Sequence, residues 1–278
     1  MQELEGKVAA ITGGASGIGR ALAESFAAQG MLLALADVEP GPLAETVRDF
    51  EARGVPTIGV ECDVADADQV RAFAAATFER FDTAHIVVNN AGVGGGNGPA
   101  WEISEAGWEW TISVNLMGVV HGIQAFVPRL VEQRSGHVIN TASLAGLSGA
   151  PMMAPYVATK HAVVGLSESL HLDFAMAGLD IGVSVLCPAF IRTRIAESGR
   201  NWPSRLGESP LPAEGSPGTE FIKGLVAGGM EPADYVAKVL DAVRTNRFIV
   251  LSDDAHATSI QHRHDAAVSG GHPTGPRL

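Results

Sequence analysis

Two cysteines and two tyrosines are all that 278 residues hold of these types. Two thiols, Cys62 and Cys187, cannot build a disulfide framework. Each sits in an apolar run and reads as a buried free thiol, which suits a reducing, cytoplasmic setting. Charge is also scarce, at 18% of residues, and basic charge scarcer: 19 Lys and Arg against 31 Asp and Glu leave a net charge of -12. Such a chain repels phosphate backbones and anionic lipid, so nucleic acid and membrane are poor partners. No apolar run approaches membrane-spanning length. The opening MQELEGKVAAITGG carries acidic residues where a secretory leader would be basic, so none is expected.

What the chain has in quantity is glycine, with 33, in a sequence that is 46% hydrophobic. Small residues let helices sit close to a sheet, and the length suffices for one large core. Short apolar runs alternate with helical patterns. Strands are expected at Val8–Thr12, Met31–Val38, Thr57–Cys62, His85–Asn89, His137–Ala142, Ile181–Leu186 and Phe248–Leu251. Helices are expected after Ile18, over Leu43–Arg53 and Ala65–Phe81, as one long helix over Thr111–Arg134, and over Pro155–Ala177. Strands apolar on both faces, alternating with helices, predict an α/β fold: a single doubly wound Rossmann-type domain with a seven-stranded parallel sheet covered by helices on both faces. The domain is expected to span 1–254. Within it, residues 194–229, rich in Pro, Gly and Ser, are too long for an ordinary connection and read as a lid. Residues 255–278 read as a mobile polar tail. Its His256, His262, His264 and His272 lack the accompanying ligand pattern of a metal site, so no metal is expected.

Gly13, Gly17 and Gly19 stand in TGGASGIG, after the first strand and before the first helix. Glycines there permit a tight turn and close approach of a ligand, and the helix start offers free amides and a positive dipole end to a pyrophosphate. An acidic chain needs local donors of this kind to bind an anionic cofactor. Eighteen positions after Gly19, at the end of the second strand, comes Asp37. A carboxylate there accepts the ribose hydroxyls of NAD and repels a 2′-phosphate, and Val38 supplies no compensating cation. The cofactor expected is therefore NAD.

Tyr156 and Lys160 are four apart at a helix start, on one face. A tyrosine of ordinary pKa, ~10, is a poor base at neutral pH. A neighbouring ammonium is expected to lower it, so that Tyr156 exchanges a proton with a carbonyl or alcohol oxygen. Ser143 ends the fifth strand, where open sheets place ligands, and its hydroxyl can polarise the same oxygen. Taken singly, these are also a surface helical pair and a turn cap; together with a dinucleotide turn they point to hydride-transfer chemistry.

In these residues the chain resembles the short-chain dehydrogenase/reductase family, over about Gly6 to Asp253. The glycine motif matches Thr12–Gly19, with Ser16 and Ile18 inside it. The NNAG motif matches Asn89, Asn90, Ala91 and Gly92, the active-site asparagine Asn115, the serine Ser143, and the YxxxK pair Tyr156 and Lys160. The resemblance implies that Asn115 ties a water to Lys160 in a proton relay. It implies that Lys160 also holds the nicotinamide ribose, that Asp63 and the Val64 amide bind adenine, and that Pro188, Ile191 and Thr193 border the nicotinamide carboxamide. Ala189 departs from the Pro-Gly common in the family. The resemblance also implies a homotetramer or homodimer built on the two long helices. The CPAFIRTRIAES stretch, the lid and the tail look like dehydrogenases of bulky or aromatic secondary alcohols. The expected function is an NAD(H)-dependent alcohol dehydrogenase or ketone reductase acting on a small-molecule substrate. The alternatives are an epimerase or dehydratase holding NAD, or a dinucleotide sensor on the same fold.

Overall fold

The structure, a computed structural model, describes residues 1–211 and 215–272, with Pro217 through its backbone alone. Pro212 to Glu214 of the expected lid and 273–278 of the expected tail lie outside the described residues. The chain runs β1 (Val8–Thr12), α1 (Gly17–Ala27), β2 (Leu32–Asp37), α2 (Pro40–Ala52), β3 (Thr57–Glu61), α3 (Ala67–Phe81) and β4 (Ile86–Asn89). There follow α4 (Glu105–Ile112), α5 (Gly118–Gln133), β5 (Ser135–Thr141), α6 (Ala154–Met176), β6 (Asp180–Cys187), α7 (Pro217–Ala227), α8 (Pro232–Thr245), β7 (Ile249–Leu251) and α9 (His256–Ser269).

The seven strands form one sheet in the order β3-β2-β1-β4-β5-β6-β7, and every pairing is parallel. Side chains alternate along each strand, so consecutive residues feed opposite faces. Ala9 and Ile11 of β1 join a core with Leu22 and Phe26 of α1, Phe50 of α2 and Tyr235 and Val239 of α8. Ala10 between them joins the other core, with Phe73 of α3, Phe126 of α5 and Phe174 of α6. Burying both faces is what makes these strands continuously apolar. The doubly wound seven-stranded reading is correct. The strand order reverses between β1 and β4, and at such a switch point the loops diverge and leave a crevice at the strand C-termini.

The structure departs from the sequence reading in three places. The long helix begins at Glu105, and Ser113–Met117 forms a π turn between α4 and α5. Counted as one helical run, Glu105–Gln133 is long and apolar enough by composition to cross a membrane, but half of its apolar window is buried against the protein. Helix α8, which carries the buried Tyr235, Val236 and Val239, was not foreseen. The tail is helical as α9; none of its residues is buried, though Ile260 packs against the cluster holding Val163 and Val185. The Pro- and Gly-rich segment holds short 3-10 helices at Ile195–Asn201 and Ser204–Leu206, then α7, which contains the short helix that the shared face of Phe221, Ile222 and Leu225 predicts over Phe221–Ala227.

Candidate active site

The glycine turn is built by contacts that leave no space for side chains. Gly13 has φ +65°, and a Cβ there would lie 3.0 Å from the Ala91 Cα. A Cβ on Gly19 would stand 2.0 Å from the Gly13 carbonyl oxygen, and one on Gly17 would stand 3.1 Å from Thr193 Cγ2. Ser16 is the N-cap of α1 but makes no side-chain cap bond, and the first turn carries no acidic residue. The amides and the positive end of α1 are therefore uncompensated by the protein, as an anion site requires. Ile18 packs down onto the core beneath the turn. These features fit a pyrophosphate.

Asp37 ends β2 beside this turn. One carboxylate oxygen accepts the Ala15 amide at 3.0 Å and the other the Glu39 amide at 3.1 Å. Burial pushes its pKa up, against the pull of those amides. Arg20, the basic residue of the turn, pairs with Asp49 at 2.6 Å. Further along the edge, Asp63 accepts the Ala65 amide at 2.9 Å, and Val64 is buried with its carbonyl bonded to His121. Asn90 sews the crevice together. Its side-chain amide donates to the Thr12 carbonyl at 3.1 Å, and its backbone amide and that of Ala91 donate to Thr12 Oγ1 at 3.0 and 3.1 Å.

The proposed catalytic group converges at the ends of β4 and β5. Lys160 is 3% exposed, and its Nζ donates to the Thr141 carbonyl at 2.9 Å. That ammonium also lies 5.5 Å from the centre of the Tyr156 ring. A Cβ on Gly92 would sit 3.5 Å from Lys160 Nζ and 3.3 Å from Asn115 Oδ1, so Gly92 borders both side chains. Asn115 is held in the π turn. It accepts the Val93 amide at 2.8 Å, donates to the Val93 carbonyl at 2.9 Å, and reaches Thr159 Oγ1 at 3.5 Å. Its amide is thus spent on the backbone of Val93 and does not bond Lys160. Ser143 caps the turn after β5, accepting the Ala145 amide, and donates to the Pro188 carbonyl at 3.3 Å.

The electrostatics reverse one expectation. Burial raises the Tyr156 pKa and outweighs the hydrogen bond with Ser143 that pulls it down. Tyr156 keeps some solvent exposure, yet burial still governs its titration. The Lys160 ammonium faces the ring, 5.5 Å from its centre, and donates one of its three N–H groups to the Thr141 carbonyl. Burial also lowers the Lys160 pKa, to about 8.

Pro188, Ile191 and Thr193 follow β6 along the same crevice. Ile191 is buried and bridges to Met230, while the Thr193 methyl faces Gly17. A cavity of about 410 Å³ opens behind this loop, lined by Phe190, Leu225, Met230, Asp253 and His256; Tyr156 and Ser143 do not line it. Among the described residues, no group of three His, Cys, Asp or Glu side chains is placed to hold a metal ion. Thr12, Thr141 and Thr159 complete the framework and were not singled out from sequence. Thr141 acts through a backbone carbonyl, which leaves no sequence signal, whereas Thr12 lies inside the glycine motif and was there to be found.

The short chain dehydrogenase family matches residues 7–204. The chain belongs to that family, and so to the NAD(P)-dependent oxidoreductases. It superimposes with a TM-score of 0.95 on a short chain dehydrogenase/reductase from Burkholderia phymatum solved in complex with NAD, at 41% identity and covering 100% of both chains. It is 31% identical to the CLA biosynthesis dehydrogenase/reductase of Lactiplantibacillus plantarum over 98% of this chain and 97% of that protein. It is also 31% identical to a C alpha-dehydrogenase of a Sphingobium species, over 90% of this chain and 82% of the other.

Proposed function

We propose that this oxidoreductase uses NAD(H) to interconvert a bulky or aromatic secondary alcohol and its ketone, with Tyr156 as the acid/base. The observation that carries the chemistry is the convergence of Ser143, Tyr156 and Lys160 beside Gly92 at the switch point of the sheet. Bound there, the nicotinamide supplies or accepts the hydride. Tyr156 gives its proton to the substrate oxygen in reduction and takes it back in oxidation. Its raised pKa keeps the phenol protonated at neutral pH, so it is poised to donate. Ser143 turns its hydroxyl to the same oxygen and releases Pro188 as it does so. Lys160 lies behind the ring, and its pKa near neutrality suits it to replace the proton that Tyr156 gives up. The cofactor would be held by Gly13, Ser16, Gly17, Ile18 and Gly19 at the pyrophosphate and by Asp37 at the ribose. Asp63 and Val64 would meet the adenine. Asn90, Ala91, Gly92, Pro188, Ile191 and Thr193 would line the nicotinamide half.

Three observations support NAD over NADP. The Asp37 carboxylate is fixed beside the glycine turn and would repel a 2′-phosphate, Arg20 pairs with Asp49, and the Burkholderia relative was solved with NAD. A bulky substrate is supported by the apolar cover at 194–229, where Trp202, Leu206 and Leu211 pack on the cluster that holds Trp110. Self-association fits the exposed Ile112, Met117 and Val131 along α4 and α5 and the exposed Leu172 and Met176 on α6. The test is turnover of a panel of secondary alcohols, from small aliphatic to diaryl, with NAD and with NADP. The result expected is faster NAD reduction on aryl members. Asp37→Ala should narrow the gap in kcat/KM between the two cofactors, and a parent enzyme that prefers NADP would refute the cofactor assignment.

A further inference from the structure

Residues 195–206 form a strap that is tied down on both sides of the crevice. At its start the Thr193 methyl faces Gly17 of the glycine turn. Ser198 is buried, and its hydroxyl accepts the Gly94 amide at 2.9 Å. On the β2–α2 side, Glu39 Oε1 accepts from Arg200 Nε at 2.8 Å and from Asn201 Nδ2 at 3.1 Å, and Arg194 lies 3.6 Å from the other oxygen. On the α4 side, Trp202 meets Trp110 edge to face at 5.1 Å, and Arg205 pairs with Glu109 at 2.5 Å.

The Glu39 tie differs from an ordinary surface pair. Its carboxylate is 21% exposed and Arg200 is 27% exposed, so water screens the contact less than it does the half-open Arg205–Glu109 pair. Burial pushes the Glu39 pKa up, but the hydrogen bonds from Arg200 and Asn201 prevail and hold it below the usual range. The position matters more. The Glu39 amide donates to Asp37, the carboxylate assigned to the cofactor ribose. One three-residue stretch therefore grips both the ribose carboxylate and the strap.

We propose that Glu39 is a positioning residue, a latch that holds the 195–206 strap across the crevice through Arg200 and Asn201 and so sets how fast the dinucleotide leaves. The proposal rests on the reading of the crevice as the dinucleotide site. No group in the latch touches the reacting atoms. Loss of charge-assisted hydrogen bonds of this kind is expected to speed release about tenfold.

The test is stopped-flow displacement of NADH from the full-length protein, followed by its fluorescence. Glu39→Ala should release NADH about tenfold faster than the parent. Glu39→Gln, which keeps an acceptor without the charge, should fall between them. Arg200→Ala should also speed release, and the double variant should fall short of the product of the two single effects, because the singles share the Arg200–Glu39 contact. Melting temperatures within about 2 °C of the parent separate a latch from general loosening. Salt should speed release from the parent more than from Glu39→Ala. Release from Glu39→Ala at the parent rate overturns the latch. Tighter NADPH binding with unchanged NADH release also overturns it, by assigning Glu39 to exclusion of the 2′-phosphate. A parent protein that binds neither NADH nor NADPH overturns the crevice reading itself, a result distinct from both.

Discussion

Acidification should destabilise this protein in part through His137, a histidine outside the group of Ser143, Tyr156 and Lys160. His137, near the start of β5, is 1% exposed. Ser184 Oγ donates its one proton to the Arg247 carbonyl at 2.6 Å, so at its 2.9 Å contact with His137 Nε2 it must accept. The imidazole therefore carries its proton on Nε2 and is bare at Nδ1. That bare nitrogen faces the backbone of Gly182, where even a Cβ would come within 2.2 Å. A second proton has nowhere to go. Burial accordingly lowers the His137 pKa from 6.5 to about 3. The unfolded chain binds this proton near pH 6.5 and the native one does not, so stability is lost as pH falls from 6.5 toward 3. Between pH 7 and pH 5 the loss from this one group is about 2 kcal/mol. Urea denaturation at the two pH values measures it, and His137→Gln isolates it. Glutamine keeps an amide donor for Ser184 and cannot ionise, so the variant should lose about 2 kcal/mol less than the parent on acidification. Equal losses in the two proteins would refute the assignment.

Tyr156→Phe removes the proton donor and keeps the ring; turnover should fall about 10²- to 10⁴-fold while NADH affinity, read by fluorescence titration, stays put. Gly19→Ala places a Cβ 2.0 Å from the Gly13 carbonyl, so the turn must distort and dinucleotide affinity must drop; an unchanged dissociation constant would contradict the cradle. Gly122→Ala drives a Cβ to within 1.9 Å of the Asn89 Oδ1, a buried acceptor with no hydrogen-bond partner among the described residues. Overpacking there should cost about 1–3 kcal/mol in a urea melt, with m unchanged.

What sequence disclosed and what it hid divide along the range of the interactions. The glycine turn was legible because its chemistry is local: the strand end, the three glycines and the helix start are adjacent in the chain, and each is required by backbone contact. The seven strands were legible because burial on both faces leaves a continuous apolar run. The π turn was not, because nothing in SVNLM forbids a regular helix. The turn instead surrounds Asn115, whose side chain pairs with the backbone of Val93, 22 residues away. The tail helix α9 was hidden for a related reason. With no buried residue it has no apolar stripe to read, and polar composition alone suggested a mobile segment. The Pro and Gly content of 194–229 pointed to a segment free to rearrange, yet its anchors are pairs such as Arg205–Glu109 and Arg200–Glu39, 96 and 161 positions apart.

The Tyr156 pKa shows the same division within the site. Four-residue spacing correctly put Lys160 on the face of Tyr156, but spacing carries no information about what else competes for the ammonium. The Thr141 carbonyl accepts one hydrogen bond from it, and burial is the largest influence on both groups, raising the phenol and lowering the amine. The two shifts reverse the usual order, leaving the amine the more acidic of the pair. A phenol that holds its proton and an amine that can give one up near neutral pH form a better donor pair for reduction than the phenolate–ammonium pair that spacing alone suggests. Oxidation asks the reverse, a proton acceptor at the substrate oxygen, and the same arrangement supplies it less readily at neutral pH. Alcohol oxidation should therefore gain more from raised pH than ketone reduction does, a difference set by the enclosure of Tyr156 and Lys160.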